Sequence, residues 1–300
     1  MIEILSQLAP IFFYFGIGVL LKHFGLADRT NGDFILRLVF FVTLPLLILT
    51  TIPNAELSAE KAMLPLTNIL VNLLCLGTVL LVIKPIKLEK STQGSMVMNT
   101  MIANNAFMFP FILTIYGDEG FADAILFDFG NALMVATFTF AMAFRYSSES
   151  HDSLTMLKRI ATSPLFWALG IGIVLSITEN PLPTSLEKMA RPVAQMTSPL
   201  ILIALGIFFS LSVRHLKLVG LALSIRMLLG FVFGLAAASI LGLEGHTFVV
   251  AALCSAAPIG FMALTFSSMA KLDMELTTSA VSLSILIGLF WIPLLIVFFQ

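Results

Sequence analysis

Charge is what this chain has least of. Sixteen Lys and Arg and 17 Asp and Glu make up only 11% of its 300 residues, where a soluble domain carries about 25%. A surface that poor in charge does not stay dispersed in water, which excludes an ordinary soluble enzyme or binding module. Cysteine is nearly absent too. Cys75 and Cys254 both sit in apolar runs with no CxxC spacing, which excludes a disulfide framework and a thiolate metal site and leaves them as small core residues. The four histidines, His23, His151, His215 and His246, fall in loops or at the ends of apolar runs, far apart in sequence, so no metal site is expected. Residues 1–9 contain Glu3 but neither Lys nor Arg. The basic start of a cleavable signal peptide is missing, and the first apolar run is read as a retained span. The net charge of -1 averages two very different sides and says nothing of partners; no nucleic-acid partner is expected.

What is present is apolar length. Hydrophobic residues make up 59% of the chain, in runs of about twenty that match the ~30 Å hydrocarbon core of a bilayer. Bounded by charge, Gly and Pro, these runs place ten spans at about 4–22, 34–53, 62–83, 93–116, 121–144, 164–179, 192–212, 217–242, 246–269 and 276–299. The polar stretch Ser147 to Arg159 is the natural joint, giving a first half at 1–145, a linker at 146–162 and a second half at 163–300.

Orientation follows from the basic residues. The connections after the odd-numbered spans hold Lys22, Arg29, Arg37, Lys84, Lys87, Lys90, Arg145, Lys158, Arg159, Arg214, Lys217 and Lys271. The other side holds only Lys61, Lys188 and Arg191. Both termini are therefore expected outside and the linker in the cytoplasm.

A repeat is visible across the two halves. Thr43-Leu44-Pro45 in span 2 matches Thr197-Ser198-Pro199 in span 7. Spans 4 and 9 are each interrupted near the middle, at Ala103-Asn104-Asn105-Ala106 with Pro110 and at Ser255-Ala256-Ala257-Pro258-Ile259-Gly260. A five-helix unit is odd, so the second copy enters the membrane the other way up. A proline in mid-span removes a backbone donor. Lipid cannot satisfy the carbonyls it frees, so such breaks persist where protein packs them or where they line a cavity. Two breaks in inverted positions can cross near the midplane and aim their half-helix N-termini at one small volume, which suits an anionic or strongly polar solute.

The polar residues at depth are few. Asn104 and Asn105 bring two carboxamides to the first break; they could close the broken backbone, face a substrate, or both. Ser255 and Pro258 mark the second break, and Asn99, Thr100 and Thr265 could extend the polar surface. Asp128 and Asn131 stand at i and i+3 in span 5, on one helical face. Asp128 could exchange a proton, hold a cation, pair with Arg226, or cap the loop carrying Gly117, Asp118 and Gly120. Arg226, the basic residue inside span 8, could attract a carboxylate, neutralise Asp128, or snorkel to the headgroups. The predicted coupling or gating set is Asp128, Asn131 and Arg226.

Rival classes fit less well. An intramembrane aspartyl protease needs two embedded aspartates and a serine protease needs a histidine at depth. A zincin needs H-E-x-x-H, and a channel would be expected to show a repeated filter or a charged ring. None of these patterns is in the sequence, so a secondary transporter rather than an enzyme is expected.

The residues then invite a comparison. Asn104-Asn105-Ala106-Phe107-Met108-Phe109-Pro110, Tyr116-Gly117-x-x-Gly120, Leu126-Phe127-Asp128-x-x-Asn131, Lys271-Leu272-Asp273-x-Glu275-Leu276 and Trp291-Ile292-Pro293 together resemble the auxin efflux carrier family over essentially the whole chain. Many members carry a glycine shortly before the first-break proline, where this chain has Met108-Phe109. The resemblance implies an all-α membrane fold shared with bile-acid symporters, of ten helices in two inverted five-helix repeats. A scaffold, often dimeric, would come from about 4–53 and 164–212. A transport domain with broken, crossing helices 4 and 9 would come from about 62–144 and 217–299. It also implies a carrier for small organic anions, typically carboxylates, working by an elevator-like motion in a bacterial-type inner membrane. No cofactor is implied, and coupling to protons or sodium is left open. Asn104, Asn105, Pro110, Ser255 and Pro258 are the expected substrate-binding residues.

Overall fold

The structure, a computed structural model, describes residues 2–56, 58–147, 164–209 and 215–299. Most of the linker expected at 146–162, with Lys158, Arg159 and Arg214 of the charge pattern, lies outside the described residues. Within them the chain is 83% helical with no strand. Apolar runs this long have no water to satisfy their backbone, so each closes its own hydrogen bonds as a helix.

In chain order the helices are α1 (Ile2–His23), α2 (Arg29–Asn54), α3 (Lys61–Ile83), α4 (Lys90–Met101), α5 (Asn105–Met134), α6 (Phe140–Arg145), α7 (Pro164–Ile177), α8 (Thr184–Gln195), α9 (Thr197–Phe208), α10 (Leu216–Ile240), α11 (Gly245–Ser255), α12 (Met262–Met269) and α13 (Met274–Phe298). Six stretches among the described residues are long and apolar enough to cross a membrane: α2, α3, Asn105–Ala143, Thr184–Phe208, α10 and α13. The apolar helices α7 and α11 are shorter.

Some boundaries differ from the sequence expectation for identifiable reasons. Span 2 begins at Arg29 rather than near 34, because Asp28 caps it. The Asp28 carboxylate accepts from the Asn31 N–H, while the Asn31 side chain accepts from the Asp28 N–H, and this reciprocal box outweighs the local polarity. Runs 4 and 5 do not part at a loop over 117–120. The chain is helical on both sides of Gly117, whose φ of 63° and ψ of -158° alone depart from helix, a combination open essentially to glycine only.

The chain forms two compact units. One contains 1–59, 109–125 and 159–209; the other contains 60–108, 126–158 and 210–300. In the first, α1 and α9 lie backbone against backbone. A Cβ on Gly18 would stand 2.1 Å from the Ile203 carbonyl oxygen, and one on Gly206 would stand 2.2 Å from that of Phe15. Gly172 gives α7 its approach to Ile52 on α2, and the Ser176 hydroxyl donates to the Ala55 carbonyl at 2.9 Å. The Lys22 ammonium donates to the Phe209 carbonyl just past the end of α9 at 2.6 Å, a cation where the helix dipole favours one.

In the second unit α3 packs on α4 and α10, α10 on α11, and α13 on α4 and α12. Small residues again set the spacing. Gly234 admits Ser255, whose Cβ would lie 2.3 Å from an added methyl. One turn of α10, Ser224–Leu229, is a π-helix, a widening that turns Arg226 inward. This unit holds the polar residues described next.

Candidate functional site at the crossing of two broken helices

Both interruptions lie in the second unit, and they are joined. α4 ends at Met101 and α5 begins at Asn105; α11 ends at Ser255 and α12 begins at Met262. Between them Ala103 and Ile259 form an antiparallel bridge. The Asn104 N–H donates to the Pro258 carbonyl and the Gly260 N–H to the Ile102 carbonyl, each at 2.8 Å. The Ile259 N–H donates to the Ser284 hydroxyl on α13 at 3.1 Å. The main-chain groups freed by each break are thus taken up by the other break and by α13, the condition for irregular backbone at membrane depth.

Close contacts hold this junction from several sides. A Cβ on Gly260 would stand 2.8 Å from the Ala103 carbonyl oxygen, and one on Gly288 would stand 2.6 Å from the Pro258 ring and 3.1 Å from the Phe107 ring.

Pro258 lies in the second break as expected, but Pro110 does not make the first. It sits inside α5, six residues past the N-cap. That N-cap is Asn104, whose Oδ1 accepts from the Phe107 N–H at 3.1 Å. Asn104, a good capping residue, therefore fixes where α5 starts, and the backbone pairing with 258–260 fixes where α4 stops.

Asn104 has work left over. Its Nδ2 is buried without a partner. Asn105 donates from Nδ2 to Asp128 Oδ1 at 2.7 Å, and Asn131 donates to the same oxygen at 3.0 Å. The Oδ1 atoms of Asn105 and Asn131 are both buried and unpartnered. Asp128 is half-buried and so remains reachable. The result is one carboxylate gripped by two amides, with two amide oxygens and an amide nitrogen unspent, directly beside a helix N-terminus. Asn99, on the last turn before the first break, is fully buried with neither amide atom bonded.

Three expectations need correcting. Arg226 does not snorkel, because it is only 1% exposed. It also makes no ion pair with Asp128. Its Nη2 donates to the Ser255 carbonyl at 2.9 Å, and its Nη1 donates to Asn72 Oδ1 at 3.0 Å and to the Thr100 carbonyl at 3.5 Å. The guanidinium fork therefore bridges the carbonyl ends of α4 and α11, a geometry a lysine cannot copy. Asp128, in turn, caps no loop at 117–120; its bonds go to Asn105 and Asn131.

Ser255 is committed elsewhere, its hydroxyl donating to the Ala251 carbonyl at 2.7 Å. The Thr100 hydroxyl likewise bonds back into its own helix, to the Met96 and Val97 carbonyls, and Thr265 is exposed. The sequence reading missed Asn68 and Asn72. The Asn72 Nδ2 donates to Asn68 Oδ1 at 2.6 Å, which leaves Asn72 Oδ1 for Arg226. Their i, i+4 spacing on an apolar span was the available signal.

Gly130 lies between Asp128 and Asn131, and a Cβ there would stand 2.2 Å from the Pro65 carbonyl oxygen on α3. A main-chain oxygen has nowhere to move. Gly130→Ala is expected to destabilise the protein by about 1–3 kcal/mol, seen as a lower melting temperature in detergent, and to displace Asp128 from its amides.

Long apolar helices, two interlocked breaks and a small, largely buried polar cluster beside them describe a multi-pass membrane transport protein. The comparisons with known proteins agree. The family model described as membrane transport protein matches residues 3–296, so the chain belongs to that family, which includes the auxin efflux carriers. It is 24% identical over 287 residues to an uncharacterized transporter of Methanothermobacter thermautotrophicus, covering 93% of this chain and 92% of that one. It is 25% identical over 293 residues to an uncharacterized transporter of Methanocaldococcus jannaschii, covering 93% of each. Membership in a transporter family implies that the chain is not an enzyme.

Proposed function

We propose that the protein is a secondary carrier for a small organic anion of the carboxylate class, acting by elevator-like alternating access in a bacterial-type cytoplasmic membrane. The observation that carries this reading is the bridge at Ala103 and Ile259, beside which Asn104 and Asn105 keep unpartnered polar atoms. An anion at the crossing would meet the N-termini of α5 and α12, with these amides as its polar ligands. A scaffold of about 4–53 and 164–212 would be shared between two copies of the chain, and a transport domain of about 62–144 and 217–299 would carry the solute. Ten helices in two inverted five-helix repeats, with both termini outside, are part of the same reading. The matching Thr-x-Pro stretches at Thr43 and Thr197 and the matching breaks in α4–α5 and α11–α12 support it.

The test is solute counterflow in liposomes reconstituted with the full chain, using acetate, lactate, pyruvate, malonate and succinate, with amines and amino acids as controls. Saturable exchange of a carboxylate is the expected result. Exchange of amines alone would overturn the anion reading. One observation favours that second reading, a neutral or cationic solute: the half-buried Asp128 carboxylate beside Asn105 could itself be a ligand for a cation.

A further inference from the structure

Four helix ends meet at the crossing, and their charges do not sum as the N-termini alone suggest. Each N-terminus carries about half a positive charge and each C-terminus about half a negative one. The ends of α4 and α11 therefore cancel the starts of α5 and α12. A crossing built only of dipoles is close to neutral and offers an anion little.

Arg226 changes that sum. Its fork lies on the carbonyls of Thr100 and Ser255, at the two negative ends, and it also donates to the neutral amide of Asn72. No carboxylate among the described residues lies within ion-pair distance of it, and it is 1% exposed. One full positive charge thus stands against about one negative charge of helix ends, leaving the two N-termini unopposed. Asp128 faces one of these through Asn105, the first residue of α5. With Asp128 ionised the crossing returns to about zero; with Asp128 protonated it stands at about plus one.

We propose that Arg226 and Asp128 together set the charge of the crossing so that each monoanion enters with one proton, carried on Asp128. This rests on the anion-carrier reading above. An anion arriving beside an ionised Asp128 would leave a net negative charge in a medium of low dielectric, where it is costly. One proton taken from the side the anion came from restores the balance and is released with it on the other. The amides suit both states. Their N–H groups serve the ionised carboxylate, and their unpartnered oxygens accept its O–H once an amide turns about its last torsion. The other buried charged groups among the described residues are Asp123 on α5 itself, Lys61 and Arg226. Lys61 lies one turn before Pro65 on α3, the helix against which Gly130 packs, and Arg226 holds the opposite helix ends. Arg226 is a positioning and charge-setting residue; it touches helix ends rather than the solute.

The experiment uses the same proteoliposomes, with the carboxylate that exchanges best, a pH dye inside, and counterflow and net uptake recorded together. The expected result is one proton entering per monoanion. Asp128→Asn is expected to lower transport, and the carboxylate flux that remains is expected to carry no accompanying proton and to show no dependence on pH. Arg226→Gln should weaken apparent affinity by about tenfold, the scale of one charge at about 10 Å and an effective dielectric near 20. Arg226→Lys, which keeps the charge and loses the fork, should recover part of that loss, as a purely geometric role would not. Exchange without proton entry in the wild type, or proton entry persisting in Asp128→Asn, overturns the proposal and leaves the carrier reading standing. The absence of carboxylate exchange in the wild type overturns the carrier reading itself. Should Arg226→Gln fail to fold, the proton count in Asp128→Asn still decides.

Discussion

Asn105→Ala is expected to reduce transport to background while leaving the amount of folded protein in the membrane unchanged. The residue begins α5, but it is not the cap; Asn104 supplies the oxygen for the Phe107 N–H. Removing the Asn105 side chain therefore spares the helix start. It deletes one of the two amide donors to Asp128 and leaves that carboxylate with Asn131 alone. A hydrogen bond to a charged group is worth about 1.5–3 kcal/mol, and the lost oxygen was a free ligand for whatever binds. Asn104→Ala makes the contrast. It removes a cap worth about 0.5–2 kcal/mol and unsettles the start of α5 itself, where Asn105→Ala leaves the cap in place. Size-exclusion profiles of a fluorescent fusion separate folding from transport. Wild-type counterflow in Asn105→Ala would remove Asn105 from the site.

The second large effect concerns assembly. Gly206→Val is expected to prevent accumulation of folded protein, because α9 meets α1 at a distance that leaves no room for a side chain. The added Cβ alone would stand 2.2 Å from the Phe15 carbonyl oxygen and 2.8 Å from the Val19 nitrogen, both main-chain atoms. Overpacking a well-filled core costs about 1–3 kcal/mol and more where nothing can give. Small residues at such seams are what lets membrane helices approach at all. Gly170→Val, on α7, is the control: nothing lies within 4 Å of a Cβ there, and normal accumulation is expected. Equal yields from both variants would show that the α1–α9 seam tolerates separation.

What could be read from the sequence followed from what lipid imposes on a chain. Runs of apolar residues had to be helices, and two of them had to break, because Asn104-Asn105 and Ala256-Ala257-Pro258 cannot sit in an uninterrupted apolar helix without reason. The site of the first break was misjudged, since Pro110 is the louder signal and Asn104, a capping residue, the truer one. Arg226 was legible as exceptional but not as a bridge between helix ends. That depends on the π-turn at Ser224–Leu229 and on Gly230 and Gly234 bringing α10 against Ser255, a tertiary fit with no local signature. Asn68 and Asn72 were passed over because a buried amide gives its purpose away only through its partner.

The bridge between Ala103 and Ile259 is made of main-chain atoms, and that has a bearing on how such a protein can change over time. A junction tied by its side chains would have to be rebuilt with each substitution. Here the bonds of the knot do not depend on which side chains stand at Ala103 and Ile259, whereas Gly260, pressed against the Ala103 carbonyl, has no room for one. A descendant could acquire a new cargo by exchanging the residues around the knot while the knot itself is inherited intact.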